Sequence, residues 1–167
     1  MKNKPLRVIT IGDERLNQRS NEVEAFTPDL SNLVDEMFKT LDTKKGVGLA
    51  AVQVGTLTRV FITLLPDESP RVFVNPELIA TSEDQVGIEE GCLSIPNKYE
   101  TVIRPAAVTI QAYSLKGKPF TLSAEGFLAR VVQHELDHLN GILFIDRLEQ
   151  KKRAAILKSF KKKVAVG

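Results

Sequence analysis

The chain holds 167 residues, 43% of them hydrophobic and 26% charged, with one cysteine and a net charge of +2. That length and balance predict a single catalytic domain over 1–167, and no apolar run approaches bilayer thickness, so no membrane partner is expected. One cysteine cannot build a disulfide framework, and the basic Met1-Lys2-Asn3-Lys4-Pro5 lacks a following apolar stretch, which together predict a cytoplasmic protein.

The first predicted element is a helix. Thr27 suits the N-cap and Pro28 the first helical position. Leu30, Leu33, Val34, Met37, Phe38 and Leu41 follow at helical spacing, and Lys44-Lys45-Gly46 ends the run. Next comes Gly46-Val47-Gly48-Leu49-Ala50-Ala51-Val52-Gln53, whose small residues permit close backbone approach. Gln53 is a lone amide in an apolar run and needs a partner there, a substrate or an oxyanion. The segment is no phosphate loop, because the Lys-Ser/Thr pair is missing. Nor is it a dinucleotide fingerprint, which would follow a strand and carry a third glycine.

Arg59 to Leu65 and Arg71 to Val74 read as strands around a Pro66 to Pro70 turn. Ala107 to Leu115 alternates as a strand, and Lys116-Gly117-Lys118 turns it into Pro119 to Leu122 as a hairpin. Ser123 is expected to cap a second helix that reaches Leu139, with Phe127, Val131, Leu136 and Leu139 apolar and Gly141 as its stop. A last helix begins near Asp146. Leu148, Ile156, Leu157, Phe160 and Val164 give it an apolar stripe, with lysines opposite. Runs of strands and few helices predict an α+β fold rather than alternating βαβ units. Antiparallel or mixed strands would pack around the buried second helix, with one helix N-terminal and one C-terminal.

Both histidines of the chain fall on that second helix, in His134-Glu135-Leu136-Asp137-His138. Residues four apart share a helix face, so both imidazoles can reach one metal ion. Glu135 is then placed to handle the proton of a water on it. Two core histidines beside a surface glutamate is the plain alternative. Against it, the helix reads as buried, it holds every histidine, and a third ligand is at hand. The metzincin pattern would need a histidine where Phe144 stands. A thermolysin-like site would need a downstream glutamate, and only Glu149 remains, with no second helix before the basic tail to present it. Cys92 is left, in Glu90-Gly91-Cys92-Leu93-Ser94; a free cysteine also serves as small apolar filler. Its segment is not strongly amphipathic, an odd place for filler. A His₂Cys set leaves a fourth position open for water, as catalytic sites do. The ion lowers that water's pKa and Glu135 can accept the proton. The attacked carbonyl would then need oxyanion donors.

Two rivals belong to other classes. A structural metal module would need a fourth protein ligand and leaves Glu135 and Gln53 unexplained. A thiol enzyme with Cys92 as nucleophile and His134 as base leaves His138 without a role.

Three motifs stand in order: Gly46 to Gln53, Glu90 to Ser94, and Gln133-His134-Glu135-Leu136-Asp137-His138. Together they resemble the peptide deformylases, across nearly the whole chain. The resemblance implies a metal-dependent hydrolase that removes the formyl group from the initiator methionine of newly made proteins. N-formylmethionyl peptide and water would give formate and a free amino terminus. It implies Cys92, His134 and His138 as metal ligands and Glu135 as general base and acid. Gln53 and the backbone N–H of Leu93 would stabilise the oxyanion. Gly48 would hold the extended peptide through backbone hydrogen bonds. Val47, Ile88, Phe127 and Val131 would line the methionine pocket, and Glu90 and Gly91 are expected at the bound substrate. One ferrous ion is the expected metal, with nickel, cobalt or zinc able to occupy the site; the donor set alone does not choose among them. Tyr99 stands where many bacterial members carry an arginine that helps fix the peptide. Arg104 matches a family arginine behind the site and is expected to partner an acid such as Asp137.

Charge is unevenly placed. From Arg147 to Lys163 eight basic residues accompany one acid, Glu149, while the rest of the chain has fifteen basic and twenty acidic residues. A basic tail over 147–167 on an acidic body points to a polyanion, or else to a solvated helix face. The final helix is similar to that of family members whose basic C-terminal helix contacts the ribosome, so the ribosome is the expected partner. No DNA partner is expected.

Overall fold

The computed structural model describes residues 4–66 and 68–166, with side chains described as far as residue 160. Thr27 and Pro28 start helix α1 (Pro28–Lys44) where the sequence places them, although Thr27 makes no side-chain cap bond. The helix closes on Lys45, which takes the left-handed conformation (φ 57°) one residue before the glycine. Helix α2 spans Gly126–Leu139 and α3 spans Gln150–Val166. The strands are β1 (Gly48–Ala50), β2 (Val60–Thr63), β3 (Arg71–Thr81), β4 (Gln85–Cys92), β5 (Ile95–Pro105), β6 (Ala107–Tyr113) and β7 (Pro119–Glu125). The fold is α+β.

Two sheets form, both antiparallel. β1, β2, β3, β6 and β7 make one in that order, and β4 pairs with β5 as a separate hairpin. Alternation along the strands sorts the core into two layers, because successive side chains leave opposite faces. Val60 and Ile62 of β2, with Leu49 and Val74, meet Leu30, Val34, Met37 and Leu41 of α1. Phe61 and Phe73, with Ala50 and Ile110, meet Ala129, Val132, Leu136 and Leu139 of α2. The five-stranded sheet therefore separates the two helices. A third cluster joins Leu16, Ile95, Val102, Phe144, Ile145 and Ile156, which brings the N-terminal segment, the hairpin and α3 together.

Three expectations change. Ser123 does not cap α2. It pairs with Thr109 within β7, Ala124 pairs with Val108, and the strand runs to Glu125. The cross-strand ladder outcompetes a local cap that would leave those backbone groups without partners. The residues around Cys92 form the long β4–β5 hairpin, which its weak alternation concealed. Strand β3 extends to Thr81, well past Val74, because β6 pairs with its second half. On α3 the apolar stripe is realised by Ile156, Leu157 and Phe160, with Leu148 just before it. The side chains of Lys161, Lys162, Lys163 and Val164 lie outside the described residues. Among the described residues no helix is long and apolar enough to cross a membrane.

Candidate metal centre

Every residue of α2 from Ala129 to Leu139 is buried. One face meets the five-stranded sheet, and another turns to the β4–β5 hairpin through polar side chains. His134 and His138, four residues apart, bring their Nε2 atoms to 3.3 Å. Cys92, at the end of β4, places Sγ 3.3 Å from His138 Nε2. The three donor atoms all lie within 4.8 Å of one another. Two imidazole nitrogens about 2.0–2.1 Å from one tetrahedral ion stand about 3.3 Å apart, so the donor set fits a metal ion.

The ring of His134 is held from behind. Its Nδ1 lies 2.9 Å from Glu90 Oε1, and with that nitrogen as donor the Nε2 lone pair faces the cluster. Glu90 in turn accepts from Arg104 Nε (2.6 Å) and Nη2 (3.0 Å) and from Arg130 Nη1 (2.6 Å). Burial alone would raise this carboxyl, but the hydrogen bonds to His134 and Arg104 outweigh it and hold the pKa at about 2. Arg104 also donates to Asp137 Oδ2 at 2.8 Å, and Asp137 accepts from Arg147 at 2.8 and 3.1 Å. Without an ion between them the two rings would divide charge unequally. Burial opposes charge on His134, yet its hydrogen bonds to Cys92 and Glu90 raise it well above the usual range. Burial and the neighbouring His134 charge drive His138 well below it.

Glu135 differs from every other carboxylate around it. It is buried, and its Oε1 has no hydrogen-bond partner among the described residues. Burial pushes its pKa up to about 7, against the pull of His134. Its carboxylate packs so closely on Gly48 that a Cβ there would lie 2.7 Å from Oε2. Gln53, 1% exposed, accepts from the Ala50 N–H through Oε1, while its Nε2 lies 3.2 Å from Ser94 Oγ and 3.5 Å from Cys92 Sγ.

A cleft of about 530 Å³ opens over these groups. Val47, Gly48, Gln53, Glu90, Gly91, Cys92, Leu93, Phe127, Val131, His134 and Glu135 all border it, as does Tyr99. Glu90 borders it with both oxygens already engaged by protein. Ile88 is not among the bordering residues; it sits half-buried in β4 opposite Val102. Tyr99 is 64% exposed and its ring covers Gly91, where a Cβ would collide with it. His138 is 1% exposed and fully enclosed. Sequence reasoning missed Arg130. The available signal was a charged residue one turn before His134 on a helix otherwise read as buried.

The profile of the polypeptide deformylase family matches residues 5–154. The peptide deformylase of Afipia carboxidovorans is 45% identical over 159 residues, 93% of each chain. That of Bradyrhizobium sp. strain BTAi1 is 47% identical over 163 residues, again 93% of each. Among solved structures, the peptide deformylase of Ehrlichia chaffeensis superposes with a TM-score of 0.91 at 36% identity, covering 96% of this chain and 97% of that one. The same protein in complex with actinonin gives 0.92 at 36% identity, covering 96% and 98%. Fold, cleft and comparisons together define a hydrolase built on an H-E-x-x-H helix, with a His-His-Cys cluster able to hold a metal ion. The chain belongs to the peptide deformylase family, enzymes of N-terminal protein processing.

Proposed function

We propose that this chain hydrolyses the N-formyl group of methionine at the start of newly made polypeptides, with one divalent ion held by Cys92, His134 and His138. The observation that carries this is the meeting of that donor triangle with the buried Glu135 carboxylate, whose Oε1 has no partner among the described residues, at one cleft. A bound ion supplies activation of water and polarisation of the carbonyl oxygen. Glu135 takes the proton of the attacking water and returns it to the departing amine, and burial of its carboxyl favours the protonated form between those two transfers. Gln53 Nε2 and the Leu93 N–H donate to the developing oxyanion. Gly48, packed against Glu135 and Val131, holds the extended peptide through backbone hydrogen bonds. Val47, Phe127 and Val131 receive the methionine side chain, and Gly91 under Tyr99 borders the residues that follow. A formyl carbon bears only hydrogen beyond its carbonyl, so a tight site rejects larger acyl groups.

Ferrous iron is the native ion on this proposal, with nickel, cobalt or zinc as substitutes, and the enzyme works in the cytoplasm. The basic α3 segment meets ribosomal RNA phosphate. The deciding experiment measures the free amino termini released from N-formylmethionyl and N-acetylmethionyl peptides. Metal-loaded protein is expected to free the amino terminus of the first and to leave the second intact. Metal-stripped protein is expected to be inactive and to recover on reloading. Equal cleavage of both peptides, or full activity after stripping, would overturn the proposal.

A further inference from the structure

The cysteine and the histidines of the donor triangle belong to parts of the fold that share no sheet. Cys92 ends β4, in the two-stranded hairpin, and His134 and His138 sit on α2 against the other sheet. Their alignment therefore depends on what ties the hairpin to the helix. Arg130 is such a tie, and neither the mechanism above nor the family motifs use it. It lies one turn before His134 and is 4% exposed. Its Nη1 donates to the Val102 carbonyl at 2.8 Å, and its Nη2 to the Val86 carbonyl at 2.7 Å. These carbonyls stand on the two strands of the hairpin. The same Nη1 lies 2.6 Å from Glu90 Oε2, and the other oxygen of Glu90 holds His134 Nδ1.

We propose that Arg130 is a positioning residue for the metal ligands. Its planar fork sets the register of the cysteine-bearing hairpin against α2 and, through Glu90, sets the ring of His134. A guanidinium spans three acceptors in a fixed geometry; an ammonium at the same place keeps the charge and loses the span. Groups that orient a ligand typically change metal affinity about 10–100-fold when removed. A bystander ion pair would not, because its loss acts on folding and leaves the donor atoms converged.

The inference rests on the proposed ligand set, and the experiment separates the two. Full-length protein is stripped, loaded with Co²⁺ and titrated with a chelator, while the thiolate-to-cobalt absorption is followed. Wild type lacking that band would remove Cys92 from the ligand set and sink the proposal beneath this one. With the band present, Arg130→Gln is expected to weaken Co²⁺ binding about 10–100-fold and to alter the band. Arg130→Lys, the milder variant should the first not fold, is expected to lose about tenfold for want of the fork. Gln133→Ala supplies the comparison. It removes another helix-to-hairpin bond, to the Pro105 carbonyl, without touching Glu90. It is expected to lower Tm with little loss of cobalt affinity. Wild-type affinity and spectrum in a folded Arg130 variant would overturn the inference. So would Gln133→Ala losing affinity in the same proportion to its Tm.

Discussion

At the scale of single residues, Glu135 carries the sharpest consequences. Its substitution by Gln leaves Cys92, His134 and His138 in place, so metal content should be unchanged while deformylation falls about 10²–10⁴-fold. Metal analysis beside a formyl-peptide assay checks this; near wild-type turnover would remove Glu135 from the mechanism. A second effect appears in the metal-free protein. The folded carboxyl has a pKa of about 7 against an ordinary 4.5, because burial penalises its charge. Between those values the folded state keeps a proton that the unfolded chain has released. The carboxyl's contribution to stability is thus full below pH 4.5 and is lost as pH rises through 7. A shift of this size is worth on the order of 3 kcal/mol. Metal-free Glu135→Gln should therefore melt higher than metal-free wild type at pH 8, with the gap closing near pH 4. A gap independent of pH would mean that Glu135 ionises freely in the fold. Glu90, on β4, shows the opposite case, held down by the groups that use its charge.

The helix that presents the site depends at the next scale on its two ends. Gly126 opens α2 at φ +62°, with nothing within 4 Å of a would-be Cβ. Gly126→Ala should cost only the backbone penalty of a left-handed residue, about 1–2 kcal/mol. Gly141 follows the helix at φ +75°, and a Cβ there would lie 2.7 Å from the Asn17 carbonyl oxygen. Gly141→Ala adds a backbone collision and should destabilise distinctly more in urea unfolding; equal losses would show that the Asn17 segment yields freely. In the first helix, Thr27, Pro28 and the apolar spacing gave the boundaries of α1 in advance, because caps and periodicity are local. The β4–β5 hairpin was not legible. Its inward positions carry Glu90 and Arg104, which pair with each other in place of an apolar alternation.

For the whole molecule, charge placement sets the expectation. Eight basic residues crowd into 147–163 on a body with an acidic excess. The start of α3 is anchored: Arg153 pairs with Asp146 at 2.8 Å, and Ile156 packs into the third core cluster. Lysine contacts with phosphate release counterions, so ribosome binding through this segment should weaken steeply with salt. Exchange of Lys158, Lys161, Lys162 and Lys163 for Glu should reduce co-sedimentation with ribosomes and leave turnover of a short formyl peptide nearly unchanged. Wild-type sedimentation of that variant at low salt would reduce the tail to a solvated helix face. The sequence by itself determined that His134, Glu135 and His138 share one helix, that Cys92 was the third donor available, and that the strands alternate toward a core. These follow from backbone repeats of two and 3.6 residues. Only the tertiary structure decided that Glu90 faces inward to hold His134 and that Arg130 grips both strands of the hairpin. Those partners lie tens of residues apart, and their choice is made by packing between segments, which no local spacing records.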